Sequence, residues 1–346
     1  MGLKRMVPHG ACILFRILGI VCIWSAFSFG LTGAARAELD LKKVIGPNAC
    51  AECHKDETEA WKKSHHFSTF RDMPRSKEAR TIARKMKIKR IKSKSLCLSC
   101  HFTSRLKKKK PTPISGISCE SCHSAGKDWE MVHSGFSGKG KPELESKAEA
   151  AARWKKSESL GMIRPHALYK LAKNCYSCHV VPQEKLVNVG GHPAGSPFEL
   201  VSWSQGEVRH NLWYSKGKSN VEAKPNRRRL MYVVGLAVEL ETALRAVGVA
   251  TTRKTYAFKM ARRADDARKK MAEAAKAAPG VPELANIVKW GHSAGLKLKN
   301  NAALTEAADN VVKETLRLLA KNDGSKLAGL DPMIPKADKY KGEPPK

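Results

Sequence analysis

Aromatic side chains are scarce in this chain: Phe, Trp and Tyr make up 6% of its 346 residues. Such rings normally supply much of the bulk of a core, so other apolar matter has to fill this one. Acids are scarce as well, 32 against 64 Lys and Arg, which leaves a formal net charge of +32. So one-sided a balance excludes a self-neutralised surface. It points to nucleic acid, an anionic surface, an acidic partner, or a cofactor whose negative charge the count omits. The apolar run at 17–29 falls short of the roughly 20 residues that span a bilayer and contains Ser25 and Ser28. At 42% apolar the chain is too hydrophobic to be wholly disordered, and it is too long for a disulfide-stapled miniprotein, which leaves one or two globular domains.

Lys4, Arg5 and Arg16 precede that apolar run, and Ala35, Arg36 and Ala37 follow it as a small-residue cleavage pattern. The segment 1–37 therefore reads as a secretory signal peptide cut after Ala37, which implies a periplasmic protein; an uncleaved anchor is the lesser alternative. Cys22 follows Gly19, Ile20 and Val21 and so lacks the small residue that lipidation needs beside it. Cleavage removes four cations, no acid, and Cys12 and Cys22, leaving eight cysteines.

All eight fall into one pattern repeated four times: Cys50-Ala-Glu-Cys53-His54, Cys97-Leu-Ser-Cys100-His101, Cys119-Glu-Ser-Cys122-His123 and Cys175-Tyr-Ser-Cys178-His179. This is the attachment signature of c-type haem. Two thiols three positions apart share one side of a helical turn, where they can bond both haem vinyl groups, while the adjacent histidine reaches the iron. Structural disulfides would make strained loops and leave four histidines unexplained. Zinc has no need of a His after each second Cys. Four covalent haems would also answer the shortage of aromatics, since each macrocycle is a large apolar plate. Packed within residues 50–179, they would lie close enough to pass electrons.

His54, His101, His123 and His179 are then the proximal iron ligands. The remaining candidates are His65, His66, His133, His166, His192, His210 and His292. No methionine recurs behind the motifs, so bis-histidine ligation is expected, with lower potentials than Met/His ligation.

Two stretches resemble the tetrahaem cytochrome c-554 family. One is Trp61-Lys-Lys-Ser64-His65-His66, with a Trp and a ligand histidine five positions apart. The other is Gly116-Ile-Ser-Cys119-Glu120-Ser-Cys122-His123, followed by Gly126, Trp129 and His133. The resemblance implies distal roles for His66 and His133, and more loosely for His210. His192, on the Gly190-Gly191-His192-Pro193 turn, completes the expected distal set. The resemblance further implies a five-coordinate second haem on His101, consistent with the absence of histidine from 102–113, and a hydroxylamine-oxidising multihaem partner. It covers about 46–215.

Residues 71–110 hold 16 Lys and Arg against Asp72 and Glu78. Outside the cytoplasm the fitting anions are haem propionates and an acidic redox protein, not nucleic acid; a solvated face with a loose Lys loop at 107–110 is the plainer alternative. From about Asn226 the pattern turns helical. Leu230, Val233, Val234, Ala237, Leu240, Ala243, Leu244 and Val247 keep three-to-four spacing, as do Leu304, Ala307, Ala308, Val311, Val312, Leu316 and Leu319. The expected fold is mostly α, a multihaem cytochrome c domain at 38–224 with few or no strands. A bundle or hairpin of helices at 225–324 and a loose tail at 325–346 follow it. The bundle either covers the haem domain or, by analogy with larger multihaem enzymes, serves homo-oligomerisation or docking. The expected function is single-electron relay between redox proteins, some of them membrane-associated. The alternative is a reductase of nitric oxide, nitrite or hydroxylamine.

Overall fold

The computed structural model describes residues 39–93 and 95–343, so the expected signal peptide lies outside the described residues. Among the described residues, eleven helices of at most 13 residues precede a C-terminal set of four, called long for the three of them that run 21 to 25 residues. The short set is α1 (Pro47–Ala51), α2 (Lys55–Lys62), α3 (His65–Asp72), α4 (Lys77–Lys85), α5 (Leu98–His101), α6 (Cys119–His123), α7 (Glu130–Ser134), α8 (Lys147–Ser159), α9 (Leu168–His179), α10 (Glu184–Asn188) and α11 (Leu200–Ser204). The long set is α12 (Pro225–Val249), α13 (Thr255–Ala277), α14 (Pro282–His292) and α15 (Asn301–Lys321). Serine caps start several of them: Ser64 and Ser76 accept from Phe67 N and Ala79 N, and Ser146 forms a reciprocal capping box with Glu149.

The expectation of few strands holds as one antiparallel hairpin, β1 (Thr103–Lys107) and β2 (Lys110–Ser115). The lysines read as a loose loop form its tight turn, with Lys108 and Lys109 at φ 48° and 59°, the left-handed pair that a two-residue hairpin turn requires.

Apolar burial is uneven. Between residues 39 and 167 the buried hydrophobic side chains are Val44, Ala60, Ala83, Leu98, Phe102 and Trp129 alone among the described residues. The main cluster instead joins α9, α10 and α11 to the four long helices. A stretch so poor in buried apolar groups cannot offset its own conformational entropy from protein contacts, so its three cysteine motifs need apolar filling from a bound group. The boundary expected at 224 falls inside one continuous core. Helix α12 explains this: it packs on α9 and α11 as well as on α13 and α15, and an apolar surface on all sides is what a central helix needs. No described helix is long and apolar enough to cross a membrane.

Two expectations shift. In α15 the buried stripe runs Leu304, Ala307, Ala308, Val311, Thr315 and Leu318, while Leu316 is exposed. The polar residues come inside because they are paired: Thr315 Oγ1 donates to Val311 O at 2.7 Å, and Glu314 accepts from Asn286 Nδ2 at 3.0 Å. The segment expected as a loose tail is also packed, over 325–343. Leu327 and Leu330 are fully buried, and the backbone of Lys341 bonds Ser202 O and Glu207 N, both at 2.9 Å.

Polar ties reinforce the seam between the motif region and the long helices. Buried Glu241 on α12 accepts from Tyr169 Oη at 2.8 Å and Lys173 Nζ at 2.6 Å, both on α9. Glu184 on α10 accepts from the backbone N–H and hydroxyl of both Thr251 and Thr252, at 2.7–3.1 Å. Although burial opposes it, those donors hold the Glu184 carboxyl down at about 2. A depressed acid stabilises the fold above its unfolded value and loses that effect as pH falls toward the folded one. The stability advantage of the native protein over Glu184→Gln should therefore be complete above about pH 4.5 and vanish near pH 2. Guanidinium midpoints across that range measure it; a constant difference would contradict the tie.

Candidate functional site

Each cysteine motif sits on or beside a short helix, which places its histidine at a helix end. His101, His123 and His179 close α5, α6 and α9, and His54 is the N-cap of α2. The distal candidates come from other segments. His66 lies in the first turn of α3, His133 in α7, His192 on the turn after α10, and His210 in the coil beyond α11.

The structure pairs these eight rings one to one. His54 faces His133 with ring centroids 5.9 Å apart, and His101 faces His192 at 6.2 Å. His123 faces His210 at 6.2 Å, and His179 faces His66 at 6.4 Å. A metal about 2 Å from one nitrogen of each ring would hold two centroids about 6.3 Å apart. All four gaps fit that requirement. Haem iron between each pair would be held by the two imidazoles, and the neighbouring thiols would hold the porphyrin.

Ring chemistry agrees with the spacing. His123, His192 and His210 donate through Nδ1 to the carbonyls of Ile163, Pro193 and Val208 at 2.8, 2.8 and 2.7 Å. His179 Nδ1 hydrogen-bonds Ser196 Oγ at 2.9 Å. A proton committed at Nδ1 leaves Nε2 as the free donor of a lone pair, the arrangement metal-ligating histidines adopt. His133 Nδ1 is buried with no hydrogen-bond partner, a gap that protein groups leave unfilled. Burial, followed by the facing imidazole, holds His101, His123, His133 and His179 down at about 4. Burial also lowers His66. These rings are neutral at physiological pH, the state in which imidazole binds a metal.

Other residues hold the pairs in place. Glu120 is 1% exposed and accepts from the backbone N–H groups of Ile45, Gly46 and Gly126 at 2.9, 2.8 and 2.7 Å, tying the entry to the first motif onto the third. Trp61 Nε1 donates to Ile117 O at 2.7 Å. A Cβ on Gly116 would stand 2.1 Å from His66 O, so only glycine lets α3 approach this closely. Arg153 pairs bidentately, through Nε and Nη2, with Glu145 and donates through Nη1 to His133 O at 2.8 Å. On the fourth pair, Arg263 of α13 is salt-bridged to Glu239 and donates to Ser196 O at 2.9 Å, behind the residue that bonds His179.

The remaining histidines are not brought to a partner ring. His65 turns outward and binds Glu207 at 2.5 Å, which separates it from His66. His166 lies near Glu158 on the surface, and His292 is exposed. The resemblance implied a vacant face on His101, yet His192 stands opposite it as the other distal rings do. Ser196, Arg263 and Arg153 had no sequence signal, since each acts through a backbone carbonyl or a hydroxyl brought from afar.

Residues 49–124 match the family model described as cytochrome c554 and c-prime. This stretch is similar to the cytochrome c-554 family. It carries the first three motifs, and the similarity points to a c-type cytochrome of electron transfer with covalently bound haem. The fourth motif, His133, His192, His210 and the long helices lie beyond the match. No curated protein and no solved structure matches the chain.

Proposed function

We propose that this cytochrome carries four c-type haems, each between two histidines, and relays single electrons between redox proteins in the periplasm. The observation that carries the reading is the one-to-one facing of eight imidazoles at 5.9–6.4 Å. The pairs are His54/His133, His101/His192, His123/His210 and His179/His66. Cys50 and Cys53, Cys97 and Cys100, Cys119 and Cys122, and Cys175 and Cys178 would form the thioethers.

Bound haem iron supplies the reversible one-electron couple. The protein sets its surroundings: two neutral imidazoles per site favour low potentials, and ligation from both faces denies a substrate access to the metal. The order of sites follows from contacts between motifs. Glu120 of the third motif accepts from Ile45 N and Gly46 N at the entry to the first, and Asn174 Nδ2, beside Cys175, donates to Cys122 O at 3.0 Å. His101 lies near enough to His179 to lower its pKa. This supports a path running first, third, fourth, second. A reductase needs one uncovered metal face, and the pairing supports relay instead.

A pyridine haemochrome assay on purified, exported protein should give about four haems per chain. A value of three or fewer would break the four-site reading.

A further inference from the structure

The two ends of that path differ in charge. The second site is bordered by the segment 75–92, whose Arg75, Lys77, Arg80, Arg84, Lys85, Lys87, Lys89 and Arg90 are all exposed, against Glu78 as its one acid. None of these cations reaches a carboxylate within ion-pair distance among the described residues, where Arg71 with Asp72 is the nearest such pair in sequence. The segment is held at the site by packing. Lys85 Nζ stands 3.3 Å from where Gly191 would carry a Cβ, and Met86 lies against Gly190, both next to His192. Lys92 Nζ sits 3.5 Å over the Phe70 ring and 5.6 Å from that of Phe102, the neighbour of His101. The first site has a different border: Glu52, Asp56, Glu57 and Glu59 against Lys55, Lys62 and Lys63, with Trp213 packed on His54 at 4.7 Å and Tyr214 92% exposed.

We propose that the basic surface formed by α4 and the turn after it is the docking site of an acidic redox protein, which exchanges electrons at the His101/His192 end of the path. The inference rests on the four-haem reading. Exposed charge of one sign, left unpaired beside one terminal site, raises the encounter rate with an anionic partner and orients it there. A partner drawn to this face meets the terminal site without crossing the rest of the protein. The opposite end offers acids and exposed aromatics, so the surface also gives the relay a direction with respect to partner type.

Stopped-flow oxidation of the fully reduced holoprotein by Cu(II) plastocyanin, an acidic acceptor, tests it. Each productive encounter takes one electron: copper goes from Cu(II) to Cu(I), and one iron of the cytochrome from Fe(II) to Fe(III). Arg84→Glu/Lys89→Glu/Arg90→Glu should slow the reaction about tenfold at low ionic strength, with the difference vanishing at high salt. Lys259→Glu/Lys276→Glu/Lys313→Glu changes net charge equally on the long helices and should slow it less than twofold. With mitochondrial cytochrome c, a basic acceptor, the first variant should react no slower than the native protein. Equal rates for the two variants would overturn the proposal. So would a first variant that sheds phosphatidylserine vesicles yet keeps its rate with plastocyanin, since the face would then be a membrane surface. An unchanged haem spectrum with unchanged rates defeats the docking site alone; a parent protein without haem defeats the reading beneath it.

Discussion

Glu120→Ala should lower the stability of the holoprotein by about 3–5 kcal/mol, the range for leaving buried partners of a charged group unpaired. The carboxylate is 1% exposed and receives three backbone N–H groups at 2.7–2.9 Å from two distant segments, 45–46 and 126. Alanine would strand all three donors and open a void between the first and third motifs. Glu120→Gln keeps the volume and one good acceptor oxygen, so it should cost roughly half as much. Guanidinium unfolding followed by far-UV circular dichroism measures both. The two losses should track a weaker hold on His54, because the loop that Glu120 pins leads directly into Cys50. Equal stabilities for native protein and Glu120→Ala would show that haem attachment alone holds these motifs together.

The candidate attachment motifs could be read in the sequence because thioether chemistry needs residues within one helical turn, so the whole requirement is written in five contiguous letters. Distal ligands obey no such constraint. His192 and His210 lie 91 and 87 positions beyond the proximal residues they face, and only the fold makes those pairs. What could be read was the supply of histidines in turns, not their assignment. Likewise Glu120 stood out within the third motif, but its three backbone donors come from elsewhere in the fold. The long helices were visible from periodicity, and α12 carried a further signal: Met231, Tyr232, Leu236 and Val238 fill the faces between its main stripe, as burial on every side requires. The packed tail was missed because Leu327 and Leu330 lie in irregular 3-10 turns, which show no period.

The second prediction bears on the one point where the resemblance and the geometry part. If His192 closes the His101 side, His192→Gly should turn one low-spin ferric signal into a high-spin one in electron paramagnetic resonance. The reduced variant should then take up about one equivalent of carbon monoxide per chain, against none in the native protein. The substitution should not unfold the chain. The turn is held by its backbone, with Gly191 N bonded to Val187 O at 3.1 Å and His192 N to Leu186 O at 3.2 Å, and the ring is no part of the apolar cluster. His192→Met provides the control: a thioether offered to the same side should restore the low-spin signal and raise the potential, as Met/His ligation does. A native protein that already binds carbon monoxide would mean that the facing rings at 6.2 Å do not share a metal. The second site would then be the open one that reductase chemistry requires. If each of the four pairs holds a haem as proposed, His192 leaves that chemistry no free coordination position, and the arrangement favours electron transfer.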